Sequence, residues 1–157
     1  MSDSPALNDP FHGVFKPDSF FLQPFRGWGV TCARSGAVQR KFEVIGAGRL
    51  EVRARAAVVE QAITYADGGT DRLEWEIVSD DDGHYVGVEK AKGLRAEGRL
   101  SDAGFRWTFK MPLPKGGGKA TVSVGYTLIA PDVALARADV RRFGLLIGYT
   151  LTFYQHV

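Results

Sequence analysis

The sequence predicts an all-β fold, an antiparallel up-and-down β-barrel of about 8–10 strands. The clearest observation is the segment 58–90, in which strand-like runs are separated by acidic turns that contain glycine. In its middle run Leu73, Trp75 and Ile77 alternate with charged residues, as in a strand with one wet face. Closure into a barrel avoids the long exposed edges of a flat sheet of this size. A two-sheet sandwich is the alternative, but it needs longer crossovers than this sequence offers.

The remaining elements follow from the same alternation between short turns. The predicted strands cover 27–33, 37–45, 58–65, 72–78, 84–89, 93–100, 105–113, 119–128 and 145–155. Gly46, Ala47 and Gly48 are interpreted as a break after the second strand. Residues 49–65 then form either one long strand, bent near Ala56, or two strands joined by a bulge. The segment Asp132–Arg142 fits a helix and a strand equally well.

Length and composition set the domain organisation and exclude several classes of protein. The 157 residues are enough for one core, so we expect an irregular lead-in over 1–18 and a single barrel domain over 19–157. The 20 basic and 18 acidic side chains alternate along strands, which argues against nucleic-acid binding. No apolar run has the length of a signal peptide or a membrane span, so a soluble, cytoplasmic protein is expected. Cys32 is interpreted as a small buried hydrophobe.

Phenylalanines are concentrated near the N-terminus, within and just after the predicted lead-in. So many large apolar side chains in a short segment are too costly to leave in water. We therefore expect them to cover one open end of the barrel. They are Phe11, Phe15, Phe20, Phe21 and Phe25.

The presumed inward faces mix large aromatic residues with alanine and glycine. Barrels of this strand number either fill with side chains or enclose one ligand, and the pattern is compatible with both. Arg40 shares a face with Phe42 and Val44, and a buried guanidinium needs a partner. That partner is an anionic ligand group or an internal acid such as Glu60, unless the strand end is wet. The candidate ligand-binding residues are Arg40, Phe42, Trp75, Trp107, Phe109, Tyr126 and Tyr149.

The sequence gives little support for catalysis or metal binding. The histidines His12, His84 and His156 are not spaced with cysteines or carboxylates as metal ligands are. An acidic β-turn explains residues 80–83 beside His84 better than a cation site does. The run 116–119 lacks the spacing of a phosphate-binding loop and leads into a strand. We therefore predict no catalytic residues, no metal and no cofactor.

A set of short motifs occurs in a fixed order from about Phe20 to the C-terminus. They are Gly27-Trp28-Gly29-Val30, Arg34-Ser35-Gly36, Phe42, Glu60, Tyr65-x-Asp67-Gly68, Trp75, Tyr85-x-Gly87, Trp107, Arg142-Phe143-Gly144, Gly148 and Phe153. In this order the chain resembles a family of uncharacterised proteobacterial proteins known only as a domain of unknown function (number 3833). The resemblance implies a bacterial protein and a strand over 133–140, and it brings no known activity. Many members are lipoproteins, whereas this sequence shows no lipoprotein signal.

A looser resemblance is to the calycin and lipocalin barrels, which carry apolar ligands. It rests on Trp28 in the first strand and on a late arginine, Arg141 or Arg142, that would pack over it. The likeness is one of fold and does not establish function.

These observations give three hypotheses of different classes. The first is a carrier that binds a small hydrophobic or amphipathic molecule inside the barrel, with an anionic head group near Arg40. The second is a barrel enzyme, a lyase or isomerase acting on an apolar substrate, which would need a polar cluster inside. The third is a structural or interaction protein with a packed core and an exposed apolar patch. The oligomeric state is left open.

Overall fold

The chain folds into a closed barrel of ten antiparallel strands. The computed structural model describes residues 13–101 and 104–157. A short helix, α1 (Pro17–Phe20), precedes the first strand. The strands are β1 (Phe25–Ala33), β2 (Val38–Glu51), β3 (Ala56–Tyr65), β4 (Thr70–Ser79), β5 (His84–Glu89), β6 (Leu94–Ser101), β7 (Gly104–Pro112), β8 (Lys119–Ala130), β9 (Val133–Arg142) and β10 (Leu145–His156).

The topology is a simple meander that closes on itself. Each strand pairs with the next along the chain, and β1 pairs with β10. The closing register runs from Phe25 opposite His156 to Ala33 opposite Gly148, so the sheet has no unpaired edge strand. The predicted antiparallel up-and-down barrel is confirmed, with a strand number at the upper end of the predicted range.

The two ends of the barrel differ in construction. At one end, here called the closed end, lie α1, the start of β1 and the turns after β2, β4 and β8. At the other, here called the mouth, lie the turns after β1, β3, β5, β7 and β9. All the turns at the mouth are short, so the shape of this end depends on the lengths of the strands.

Phenylalanines seal the closed end. Phe15, Phe20, Phe21 and Phe25 are each at most 5% exposed. The Phe15 ring stacks on Tyr126 of β8 with centroids 4.7 Å apart, and the Phe21 and Phe25 rings lie 4.9 Å apart. The predicted covering of one barrel end is therefore confirmed for these four residues. Phe11 lies outside the described residues.

The domain boundary stays a prediction. It placed an irregular lead-in over 1–18 and the barrel over 19–157, and residues 1–12 lie outside the described part of the chain. Within the lead-in, Phe15 and Pro17 are buried against the closed end.

The glycines of β2 do not break the strand, so that interpretation was wrong. β2 continues through Gly46 and Gly48 to Glu51. A Cβ atom on Gly46 would lie 2.4 Å from the Phe25 ring, and one on Gly48 would lie 2.6 Å from the backbone of Phe21. Glycine in a strand interior commonly marks such a close approach. These two glycines let the N-terminal segment pack directly on the sheet.

Two other segments are resolved by the strand pairing. Residues 49–65 contain the end of β2, an exposed turn over 52–55, and β3, so the segment holds two strands as the second alternative predicted, but a turn joins them instead of a bulge. The segment Asp132–Arg142 contains the strand β9, as the family resemblance implied.

Candidate functional site

The interior of the barrel contains a cavity of about 600 Å³ that extends to the mouth. Its walls are mostly aliphatic and aromatic, and the polar atoms come from a few threonine, tyrosine, glutamine and charged side chains. The lining residues are Thr31, Phe42, Val44, Gln61, Ile63, Tyr65, Asp71, Leu73, Trp75, Lys92, Leu94, Trp107, Phe109, Met111, Pro112, Val124, Tyr126, Ala136, Ala138, Thr150, Thr152 and Tyr154. Concave, largely apolar sites of this size are typical of small-molecule binding.

An aromatic cluster forms one wall of the cavity. The Trp75 ring lies 5.0 Å from Trp107 and 5.5 Å from Phe109, measured between centroids. Gly87 on the neighbouring strand makes room for this cluster, because a Cβ there would lie 2.6 Å from the Trp107 ring. The two alternatives left open by the sequence therefore both occur. Aromatic rings interlock with glycine at Gly87, and a cavity remains beside them.

The deep part of the cavity holds polar atoms with little access to water. Burial raises the pKa of the Tyr154 phenol to about 12. Burial, with a smaller contribution from Tyr154, raises the pKa of Tyr126 well above its usual range, and the nearby Trp107 indole partly offsets the rise. The Nε1 atom of Trp107 is buried and lacks a hydrogen-bond partner of normal geometry among the described residues. Because this atom is not exposed to the cavity and interacts with the Tyr126 hydroxyl, a ligand in the cavity would not contact it directly.

The wall of the barrel has a notch at the mouth. β4 pairs with β5 only over Glu76–Ser79, and β7 pairs with β6 only up to Thr108. β7 therefore continues for four residues, or about 13 Å, beyond its last pairing with β6. The notch (Asp71 and Leu73 on β4, Lys92 in the turn, Phe109 and Met111 on β7) is lined by residues that also line the cavity.

An ion pair spans the notch at its β4 side. Lys92 Nζ lies 2.8 Å from Asp71 Oδ1, and both side chains are partly exposed. They are the only charged residues that line the cavity in the described part of the chain. Because the two charges compensate each other, the cavity entrance carries no formal net charge from its lining.

Glu89 closes the inner edge of the notch and was not identified from the sequence. Its side chain is 2% exposed. The carboxylate accepts hydrogen bonds from the backbone N–H groups of Glu74 and Lys92, at 2.5 and 3.2 Å. It therefore satisfies the edge of β4 where pairing with β5 stops. The position of Glu89 two residues after Gly87 and four after Tyr85, on the inward face of β5, was a usable sequence signal.

Arg40 lies at the rim and does not line the cavity. Its guanidinium donates to both carboxylate oxygens of Asp67, at 2.9 and 3.1 Å, and stacks 3.4 Å from the centroid of Tyr65. The hydrogen bonds from Arg40 and from the Gly69 N–H lower the pKa of Asp67 below its ordinary value. The expected partner Glu60 points outward and pairs with Arg49 instead. An anionic ligand would have to displace Asp67, so we assign no head group to Arg40.

Of the six other candidate residues, five line the cavity and one does not. Phe42, Trp75, Trp107, Phe109 and Tyr126 line the cavity, and the cavity brings them together. The expectation that Tyr149 faces inward is wrong. In β10 the inward positions are Thr150, Thr152 and Tyr154.

Two residues that were expected elsewhere, Tyr149 and Trp28, lie on the outer surface of the barrel. Tyr149 stacks under Arg137 at 4.4 Å on the outer surface. Trp28, expected to pack under Arg141 or Arg142, is 44% exposed and lies beside Arg26, 5.2 Å from its guanidinium. The lipocalin-like pairing of a tryptophan with a late arginine is therefore wrong for this chain.

Residues 13–101 and 104–157 contain no cluster of three or more His, Cys, Asp or Glu side chains that could hold a metal ion. Asp80 instead bonds the backbone N–H groups of Asp82 and His84, as an acidic turn does. No helix in these residues is long and apolar enough to cross a membrane.

The comparisons with known proteins agree with this architecture. A crystal structure of a protein of unknown function from the DUF3598 family of Nostoc punctiforme superposes with a TM-score of 0.62 at 14% identity. The match covers all of this chain and 54% of that protein, so this chain spans about half of its length. At this identity the likeness shows a common fold. No curated protein matches the chain significantly. The family model described as "Protein of unknown function (DUF3833)" matches residues 8–156, and the chain therefore belongs to that family.

Proposed function

We propose that the protein binds one small hydrophobic or amphipathic molecule inside the barrel and acts as a carrier for it. The observation that carries the proposal is the cavity of about 600 Å³, with its aromatic wall and its largely apolar lining. A volume in this range suits a drug-sized molecule. An open interior of this kind is unexpected for a structural protein with a packed core, because dense packing is more stable.

The polar atoms in the cavity favour a particular class of ligand. Apart from the Asp71–Lys92 pair at the notch, the polar side chains that line the cavity are uncharged, among them Gln61, Thr150 and Thr152. Tyr126 and Tyr154 are also neutral at physiological pH, and burial raises their pKa values further above the ordinary value for tyrosine. A carboxylate or phosphate there would be buried without a cationic partner, which is costly. The favoured ligand therefore has an apolar body and an uncharged carbonyl, ether or hydroxyl group at its inner end.

The test combines identification of a bound molecule with a cavity-filling variant. Native and denaturing mass spectra of gently purified protein are compared for a released small molecule. Binding of the neutral apolar dye N-phenylnaphthylamine is then titrated by fluorescence for the wild type and for Ala138→Phe, which narrows the cavity. Ala62→Phe is the matched control, because Ala62 is exposed and does not line the cavity.

We expect the wild type and Ala62→Phe to bind the dye alike, and Ala138→Phe to bind roughly an order of magnitude more weakly. Among co-purified or added ligands, long-chain alcohols and esters should bind better than the corresponding carboxylates. The proposal is wrong if purified protein carries no small molecule and the wild type binds none of these compounds.

A further inference from the structure

One side of the mouth is strongly basic. The turns after β1, β7 and β9 are neighbours around the rim, because β1, β10, β9, β8 and β7 are consecutive in the sheet. Residues 33–38, 112–119 and 141–146 contain no acidic side chain. Their cations are Arg34, Lys115, Lys119, Arg141 and Arg142.

Most of these charges are uncompensated. Arg141 pairs with Asp139 at 3.4 Å. The other four basic side chains form no ion pair with a carboxylate in residues 13–101 and 104–157. The acidic residues on the far side of the mouth, Asp67 and Asp71, are already paired with Arg40 and Lys92.

A large apolar side chain stands at the tip of this basic side. Arg142 pairs with Leu145, so Phe143 and Gly144 form a two-residue hairpin loop. Both have positive φ, 50° and 78°. Phe143 is 90% exposed and Leu145 is 66% exposed. The tip therefore presents an aromatic ring and an aliphatic side chain to the surroundings.

Phenylalanine is an unfavourable residue at this position. A two-residue hairpin loop with positive φ at both positions normally contains Asn-Gly or Asp-Gly. A bulky residue at positive φ is strained, and burial of the ring within the barrel does not compensate the strain here. An exposed ring held in a strained conformation is best explained by a contact made outside the chain.

The neighbouring loops combine the ring and the charges into one surface. The Arg142 guanidinium lies 5.0 Å from the Phe143 ring. On its other side it lies against the β7–β8 loop, where Cβ atoms on Gly117 and Gly118 would be 3.7 and 3.6 Å from its nitrogens. The β7–β8 loop therefore lies close to Arg142, and Lys115 and Lys119 flank its glycines in sequence.

We propose that this surface, the basic tip (Arg34, Lys115, Lys119, Arg142, Phe143 and Leu145), docks the protein on an anionic lipid bilayer. Aromatic and aliphatic side chains insert at the boundary between head groups and acyl chains, and arginine and lysine bind the anionic head groups. The basic tip places exposed apolar side chains among uncompensated cations, which matches the order of acyl chains and anionic head groups in a bilayer. A protein partner would instead need a broad complementary face, whereas the exposed apolar side chains here, Val38, Phe143 and Leu145, belong to two separate turn regions among the cations.

The location of the basic tip gives this docking a consequence for the cavity. Pro112 and Met111, which line the cavity, immediately precede the β7–β8 loop, and the tip stands beside the opening. At the closed end the three aspartates of the β4–β5 turn, Asp80 to Asp82, outnumber the two arginines of the neighbouring β2–β3 turn, Arg53 and Arg55, so these two turns together would not attract an anionic surface. A bilayer would therefore face the mouth, where an apolar ligand could pass between the membrane and the barrel without crossing water.

The experiment measures co-flotation of the whole chain with lipid vesicles. Vesicles of phosphatidylcholine alone are compared with vesicles of equimolar phosphatidylcholine and phosphatidylglycerol, at low and high salt. The variants are Phe143→Asn and the double substitution Lys115→Gln with Arg142→Gln. Val52→Asn is the control, because Val52 is an exposed apolar residue, 85% accessible, in a turn at the closed end.

The wild type and Val52→Asn should bind the anionic vesicles and be released by salt. Phe143→Asn should bind roughly tenfold more weakly or worse, and the charge variant roughly fivefold more weakly per lost charge. Phe143→Asn should also melt at the same or a higher temperature, because asparagine tolerates positive φ. A purely structural role for Phe143 would instead lower the melting temperature without affecting flotation.

The proposal is overturned if the wild type does not float with anionic vesicles at low salt, or if Phe143→Asn floats like the wild type. Phe143 does not line the cavity, so its variant should bind N-phenylnaphthylamine normally. Dye binding and vesicle binding therefore report separately on the carrier proposal and on membrane docking.

Discussion

At both ends of the barrel a phenylalanine ring packs over a glycine of the neighbouring strand, but the closed end is sealed and the mouth is open. At the closed end the Phe25 ring packs over Gly46, and at the mouth the Phe42 ring packs over Gly29, where a Cβ would lie 2.2 Å from it. Phe25 is backed by further rings, with centroids of Phe21 and Tyr154 at 4.9 and 5.7 Å. Phe42 contacts one aromatic neighbour, Tyr65, at 5.8 Å.

The difference shows what decides whether a barrel end is sealed. The strands supply aromatic inward residues at both ends, but within residues 13–101 and 104–157 the segment from outside the sheet packs on the closed end. Phe15, Phe20 and Phe21 come from that segment and fill the space between the strands. At the mouth the corresponding space remains open as the cavity. Substitutions at the two ends should therefore have different costs.

The largest expected effect is a loss of stability from a substitution at the closed end, whereas a substitution at the mouth should mainly weaken binding. Phe25→Ala removes a ring that is 0% exposed and should cost about 3–5 kcal/mol of the free energy of unfolding. Phe109→Ala removes a ring that faces the cavity and is partly exposed, so it leaves less new empty space and should cost clearly less. Urea unfolding of both variants, with titration of N-phenylnaphthylamine, measures the two quantities.

We expect Phe109→Ala to impair dye binding more than stability, and Phe25→Ala to do the reverse. Equal losses of stability in the two variants would mean that the mouth is as tightly packed as the closed end. The contrast between the two ends would then be incorrect.

A smaller effect is expected at the notch, where a side chain replaces a missing strand contact. Glu89→Ala leaves the N–H groups of Glu74 and Lys92 without an acceptor and should cost about 2–4 kcal/mol. Glu97→Ala is the control, because Glu97 is an exposed residue that pairs with Arg95 on the surface. Its loss should be within about 1 kcal/mol. If the two variants unfold at the same urea concentration, Glu89 does not hold the edge of β4.

The fold was largely predictable because alternation and turn chemistry agree in most of the chain. Leu73, Trp75 and Ile77 of β4 are on the inward face, as their period of two indicates. The same method failed in β10, because apolar residues occur on both faces of that strand. There Thr150 and Thr152 face the cavity, and Leu151 and Phe153 face outward. Hydrophobicity alone selects the wrong face when the interior is a cavity rather than a packed core.

The candidate site was predictable only in part, because its remaining features depend on strand lengths and long-range contacts. The notch results from the early end of β4–β5 pairing at Glu76 and from the separation of β6 from β7 beyond Thr108, and no local sequence pattern fixes where either pairing stops. The alternation of residues along strands could not reveal the partner of Arg40, because Asp67 lies outside the strands, in the β3–β4 turn at the mouth. The role of Gly46 required knowledge that the Phe25 ring lies above it.

The smallest effects should distinguish the two ends by opposite dependence on pH. At the closed end, burial and then the charge of Asp18 raise the pKa of Tyr85 to about 12, and its hydroxyl donates to Asp18 Oδ1 at 3.1 Å. The neutral phenol is the stabilised form. Its contribution is therefore complete below the ordinary pKa of tyrosine, near 10, and is lost as the pH rises through about 12.

At the mouth the sign is reversed. Arg40, and then the Gly69 N–H, lower the pKa of Asp67, so the carboxylate is the stabilised form. Its contribution is present above the ordinary carboxyl pKa and is lost as the pH falls through the lowered value. Tyr85→Phe should therefore flatten the alkaline limb of a profile of Tm against pH. Asp67→Asn should flatten the acid limb by no more than a few degrees. Circular dichroism melts across the pH range measure both limbs, and a change in the opposite limb for either variant would contradict the opposite signs of the two pKa shifts.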